Sequence, residues 1–295
     1  MLFRIFLFAT GLILVPLPAH AQVTSNVFER VLNVRVNAGT PNEGTATAFT
    51  VDVDGREYML TAKHVVAGLK ERDKIDIFMN DQWVPIEVTI FRDDPVDIAV
   101  LVPPYQLTIN FDFPTEKTTF YIGQDCFFLG FPYGIQVPGR GANGPYPLAV
   151  VKRGTMSGII PPENGTKSGL VMLDGYNNPG FSGGPVVCRD QKQQGSVVLG
   201  LVGVISGFRP EVVPAMVEHD IVSPDRAGAV AKAQPWRINK RSNGTFFEYV
   251  DNGTYVALNT GIVVAYGAEE AIDLIRSHPI GPLVKDLPGN RPITH

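Results

Sequence analysis

A serine set among glycines is equipped for acyl-transfer chemistry, and Gly180-Phe181-Ser182-Gly183-Gly184-Pro185 is such a setting. Glycine tolerates φ > 0 and lets a substrate carbonyl approach the backbone closely. In a turn of this kind the N–H groups of Gly180 and Ser182 can aim at one point, where they would stabilise the anion formed when Ser182 attacks a carbonyl. A serine hydroxyl is a weak nucleophile until a base lies within hydrogen-bond reach and a third group orients that base. Two upstream segments offer these parts: the apolar run from Tyr58 delivers His64, and Asp97 opens the run Ile98-Ala99-Val100-Leu101. That run should carry Asp97 inside, where an ionised carboxylate holds an imidazole tautomer; Asp94 is the second choice. Asp93, Asp94 and Asp97 lack the oxygen-rich spacing of a calcium loop, which favours a polar turn over a metal site. His219 and His278 have no comparable setting.

The chain order His64, Asp97, Ser182 is that of the chymotrypsin arrangement. The blocks TAKHVV, DIAVL and NNPGFSGGPVV resemble the three catalytic blocks of trypsin-like serine proteases, closest to the HtrA/Deg-like branch, over about residues 27–277. The resemblance implies two antiparallel six-stranded β-barrels with a C-terminal helix and a peptide bond as the target. It also implies His64, Asp97 and Ser182 as the triad and Gly180 with Ser182 as the oxyanion hole. Ser206, Gly207 and Phe208 would line the substrate backbone and the primary pocket. Tyr176 would sit near the base of that pocket and, carrying no charge, would favour a small or apolar residue over Lys or Arg. Cys126 and Cys188, the only cysteines, fall where trypsin-like proteases have a disulfide, and an exported chain meets an oxidising compartment. Phe181 departs from the pattern: that branch often has Asn there, and trypsin an Asp that pairs with the amino terminus released by zymogen cleavage. With no such ordering contact in view, an inactive homologue serving as a binding or scaffold protein is the alternative to an active endopeptidase.

The elements that would position these residues read as β. Glycine (30) and proline (24) are abundant, and the apolar runs are short and rich in Val, Ile, Thr and Phe. Strands are expected over about 27–36, 44–53, 57–62, 83–91, 150–160, 169–173, 197–206 and 254–266, with turns at Asp54-Gly55 and near Asn164-Gly165. By this reading the first barrel spans about 27–103 and the second about 120–267. The glycine-rich stretch 137–147 is expected to be a long surface loop. Residues 209–253 read as a lid, a regulatory loop or a tolerated surface insertion, the last being favoured. An amphipathic helix is expected over 268–278, with Glu269 and Glu270 in its first turn and Arg276 near its end. The remainder, 279–295, is far too short for the PDZ domain that HtrA-like proteases commonly carry.

Gly180-x-Ser182-x-Gly184 also fits the nucleophile elbow of esterases. That elbow demands a helix directly after the serine and a downstream histidine, and Gly-Gly-Pro-Val-Val is a poor helix start. At the N-terminus Arg4, an apolar run of about eleven residues from Ile5 to Val15, and Ala19-His20-Ala21 read as a signal peptide cleaved after Ala21. The expectation is therefore a secreted or periplasmic protease. Residues 1–21 hold one of the 25 basic residues and none of the 29 acidic ones, so the net charge of −4 becomes −5 on cleavage, and nothing points to nucleic acid. The partner expected is a polypeptide substrate, and the chemistry calls for no cofactor or metal.

Overall fold

The structure, a computed structural model, describes residues 23–92, 96–109, 113–115, 118–140, 145–162, 167–190, 199–221 and 238–285. Residues 1–21, expected to be a signal peptide, Asp93 and Asp94, and the turn expected near Asn164-Gly165 lie outside the described residues. A short helix α1 (Ser25–Phe28) precedes six strands: β1 (Val31–Val36), β2 (Gly44–Val53), β3 (Arg56–Thr61), β4 (Arg72–Met79), β5 (Gln82–Arg92) and β6 (Ala99–Val102). They close into a barrel in the order β1-β2-β3-β6-β5-β4. Asp54-Gly55 and Asn80-Asp81 join their hairpins with φ between 50° and 74°, the left-handed pair that tight hairpin turns require.

Burial follows the period of two that a strand imposes. Leu32, Val34, Val36, Ala46, Ala48, Ile75, Ile77, Ile86, Val88, Ile90 and Leu101 fill the barrel. The alternate set, Val31, Phe49, Val51, Val53, Tyr58, Leu60 and Val100, faces outward but packs against the second half of the chain and its last helix. Strands buried on both faces read as near-continuous apolar runs, as DIAVLV does. Residues 27–30, expected to belong to the first strand, instead form α1 and a turn. Arg30 is withdrawn from solvent there, its guanidinium reaching Asp52 at 2.5 Å.

The second half contributes β7 (Asp125–Gly130), β8 (Val137–Arg140), β9 (Pro147–Leu148), β10 (Val150–Ile160), β11 (Leu170–Asp174), β12 (Pro185–Arg189), β13 (Leu199–Ile221), β14 (Ile238–Lys240) and β15 (Phe246–Tyr266), then the helix α2 (Glu269–Ser277). Its main sheet runs β11-β10-β7-β12-β13-β15-β14, and pairing of β11 with β15 closes six of the seven strands into a ring. The fold is thus all-β, two six-stranded rings followed by a helix, with β14 added outside the second ring. Two expectations are corrected. The stretch 137–147 is not simply a loop: β8 and β9 pair across it. Nor is 209–253 a plain insertion, because β13 and β15 continue far past the ring as a ribbon, paired from Pro210–Asn259 out to Ile221–Phe246. Pro210 and Pro214 hid this strand, since proline removes a ladder donor; both sit beside register shifts where the ladder is already interrupted. Beyond α2, the Glu57 N–H donates to Pro282 O and the Val284 N–H to Gly55 O, so residues 282–284 run along the β2–β3 turn.

Candidate active site

β3 ends at Thr61, and a single 3-10 turn, Lys63–Val66, presents His64 half exposed at the rim of the first barrel. Asp97 lies two residues ahead of β6. β3 and β6 are neighbours in the barrel, pairing Thr61 with Ala99, and this brings the two side chains together. Asp97 Oδ1 accepts the His64 backbone N–H at 2.9 Å, and Oδ2 lies 2.8 Å from His64 Nδ1. The Ser206 hydroxyl donates to the same Oδ2 at 2.5 Å. Burial pushes the Asp97 carboxyl up, but the hydrogen bonds from the His64 ring, the Ser206 hydroxyl and the His64 backbone outweigh it and hold its pKa below the ordinary aspartate value. Asp97 is therefore ionised and fixes Nδ1 as the protonated nitrogen, leaving Nε2 as the basic one.

Ser182 comes from the second ring, in the turn before β12. Its hydroxyl donates to the Ser206 carbonyl at 3.2 Å, and among the described residues no hydrogen bond joins it to the His64 ring. Ser206 thus touches both halves of the arrangement, through its carbonyl to Ser182 and its hydroxyl to Asp97. The resemblance assigns it only to the substrate path and pocket wall. The residues that follow fit such a path: Gly207 and Phe208 are half-buried and pair with Val264 and Val263 across a register shift.

The peptide planes of the Ser182 turn are each held through the carbonyl, two by groups outside the turn and one by a bond within it. Pro179 O accepts the Tyr133 N–H at 2.8 Å, Gly180 O accepts the Thr47 hydroxyl at 2.7 Å, and Phe181 O accepts the Gly184 N–H at 2.8 Å. In a trans peptide the N–H points opposite to the C=O. The Gly180 N–H is therefore turned away from Tyr133 and the Ser182 N–H away from the Gly184 N–H, and among the described residues neither meets an internal acceptor. Gly180 at φ 103° and Gly183 at φ 85° occupy backbone only glycine adopts readily, and a Cβ on Gly180 would lie 2.4 Å from Phe131 O. Thr47, on β2, is the tie between barrels. Its hydroxyl also accepts the Phe131 N–H at 3.0 Å, and its own N–H donates to Ser182 O at 3.0 Å. No pattern in the sequence marked it.

Phe181 is fully buried in the second ring, its ring meeting Phe128 edge to face at 5.2 Å, in the cluster that holds the Cys126–Cys188 disulfide. Tyr176 is exposed, and Lys152 of β10 reaches over it and Phe181. Burial holds the Lys152 ammonium below the ordinary lysine pKa. A cleft of about 820 Å³ between β10, β13 and α2, with Phe120, Lys167, Leu201 and Asp273 in its wall, contains none of these residues. Its Lys167 and Asp273 pair with each other.

No curated protein sequence matches the chain. Among solved structures, the HtrA-type protease AlgW with a tripeptide is 18% identical at a TM-score of 0.47, covering 86% of this chain and 61% of that one. AlgW with a decapeptide gives 17%, 0.48, 86% and 65%. The apo MamO protease domain from Magnetospirillum magneticum gives 15%, 0.42, 84% and 97%. The chain spans less than two thirds of the length of the AlgW chains. The family profile for the trypsin-like peptidase domain matches residues 46–201, just over half of the sequence, a span that includes His64, Asp97 and Ser182. On that match, the chain belongs to the trypsin-like peptidase family.

Proposed function

We propose that this protein is an exported serine endopeptidase that hydrolyses peptide bonds through Ser182, His64 and Asp97. Ser182 Oγ attacks the scissile carbonyl while His64 Nε2 takes its proton. The resulting oxyanion is met by the Gly180 and Ser182 N–H groups. His64 then returns the proton to the departing amine, leaving an acyl-serine that water cleaves by the same steps. Asp97 keeps the imidazole oriented and compensates its charge when protonated. The observation that carries the reading is the anchoring of the Pro179 and Phe181 carbonyls, by the Tyr133 N–H and by the Gly184 N–H within the turn, with the opposed Gly180 and Ser182 N–H groups meeting no internal acceptor among the described residues. Pre-aimed donors of this kind are worth about 10²–10³ in rate. Export is supported by the signal-like N-terminus together with the disulfide. The exposed, uncharged Tyr176 supports a small or apolar residue before the cleaved bond.

The Ser182 hydroxyl bonded to Ser206 O favours the second reading, an inactive homologue that binds without cleaving. One rotation about the Ser182 side-chain bond redirects that hydroxyl, and catalytic hydrogen bonds often close only around substrate. The test is incubation of the mature protein with an unfolded, reduced and alkylated polypeptide, with products sequenced by mass spectrometry. Cleavage lost in Ser182→Ala supports the endopeptidase. An intact substrate that nonetheless stays bound would favour the binding protein.

A further inference from the structure

The segment leading into the nucleophile turn, residues 175–179, belongs to no strand. Three side chains reach it from outside: Asn259 donates to Asn177 O, the Tyr133 hydroxyl accepts from Asn178 Nδ2 at 3.4 Å, and Lys152 alone bears on both Tyr176 and Asn178. Lys152 sits opposite Phe128 in the β7–β10 ladder, and directly opposed residues project from the same face of a sheet, here toward the interior of the ring. Its ammonium donates to Tyr176 O at 2.6 Å and to Asn178 Oδ1 at 2.5 Å. It also lies 5.3 Å from the centroid of the Phe181 ring and 5.6 Å from that of Tyr176. Four contacts thus converge on the few residues that precede Ser182. Among the described residues no carboxylate pairs with this ammonium, so its partial desolvation is offset only by neutral oxygens and ring faces. An apolar side chain of equal length would fill the space at less cost and would hold none of those groups.

We propose that Lys152 is a positioning residue for the oxyanion hole, fixing Tyr176–Phe181 in the arrangement that turns the Gly180 and Ser182 N–H groups away from their anchors and toward substrate. It supplies from the neighbouring strand the ordering contact that Phe181 cannot make through charge. It does not act as the base: both oxygens it meets lie in the preceding segment. The inference rests on the endopeptidase reading for its kinetic consequence, but not for its structural one.

The test compares the full chain with Lys152→Met, which keeps length and loses donors and charge, and with Lys152→Arg. With a peptide substrate, Lys152→Met is expected to lower kcat by about 10- to 100-fold, the scale of a displaced donor, with KM changed by less than about threefold. Affinity for a peptide aldehyde, whose adduct places an oxyanion in the hole, should fall by the same factor as kcat, and arginine should recover most of both. A merely structural lysine would lower the melting temperature and leave kcat per folded molecule unchanged, which would overturn the proposal. Should Lys152→Met fail to fold, Asn178→Ala removes one acceptor from the other side, and an unchanged kcat there would overturn it equally. Should the wild type cleave nothing, the endopeptidase reading fails while this one is still decided by hydrogen exchange. Tyr133 and Gly184 amides, bonded to Pro179 O and Phe181 O, that exchange faster in the variant support it, and unchanged rates refute it.

Discussion

Thr47→Val is the substitution that most sharply separates a tied nucleophile turn from a merely adjacent one. Valine matches threonine in shape and removes one atom, Oγ1. That atom donates to Gly180 O at 2.7 Å and accepts from the Phe131 N–H at 3.0 Å, in a residue with no exposure and beside a fully buried Phe131. Neither partner finds a substitute in an apolar methyl, so two buried polar groups are left unpaired, each costing about 1–3 kcal/mol. The expected loss is about 2–6 kcal/mol, read as a fall of about 1 M or more in the urea midpoint at constant slope. Activity should fall further than stability explains. Without the tie, the Gly180–Phe181 peptide can rotate and carry the neighbouring N–H groups with it, and kcat should drop by about 10- to 100-fold for the folded protein. Thr47→Ser keeps the oxygen and should retain kcat, losing only about 1 kcal/mol for a buried methyl. A Thr47→Val protein with an unchanged midpoint and unchanged kcat would refute the reasoning.

Phe181→Ala removes the buried ring that anchors the turn against Phe128. A loss of about 3–5 kcal/mol in denaturant unfolding is expected, with active-site labelling reduced in the fraction that remains folded; a loss under about 1 kcal/mol would contradict the anchor. Asp97 has a folded pKa below its ordinary value of 3.8, so its contribution is present above the unfolded pKa and lost as pH falls through the lowered one. The stability gap between wild type and Asp97→Asn should therefore narrow as pH falls below the unfolded value and through the lowered folded one, and a gap independent of pH would show that the charge is not what the His64 and Ser206 bonds stabilise. Glu57 carries the opposite sign: burial raises its pKa above 4.5 despite bonds from Leu107 and Thr108. Its contribution is present below the unfolded pKa and diminishes as pH rises through the raised value, so titration of unfolding free energy should show a compensating loss that Glu57→Gln abolishes.

His64, Asp97 and Ser182 were legible as candidates because each is embedded in a local pattern: a run ending in histidine, an aspartate opening an apolar run, a serine among glycines. The strands were legible for the same reason, their periods being local. What was hidden depends on contacts across the chain. Thr47 meets Gly180 across 133 positions and Ser206 meets Asp97 across 109, and neither residue type is unusual where it stands. Phe181 looked like a defect when judged by the polar residues that relatives place there. Its ring is instead buried in the second ring of strands against Phe128, a contact that no local pattern announces. The ribbon of β13 and β15 was missed because prolines normally argue against a strand, and only the register shows that these two fall where the ladder is broken.

The central claim is that His64 activates Ser182 in an assembled site. The most direct measurement is labelling of the purified wild-type protein by a fluorophosphonate probe, alongside Ser182→Ala and His64→Ala, with the modified residue identified by mass spectrometry. The account predicts one label, on Ser182, absent from Ser182→Ala and slowed by orders of magnitude in His64→Ala. A folded wild-type protein that takes no label, or one labelled equally fast without His64, would contradict it.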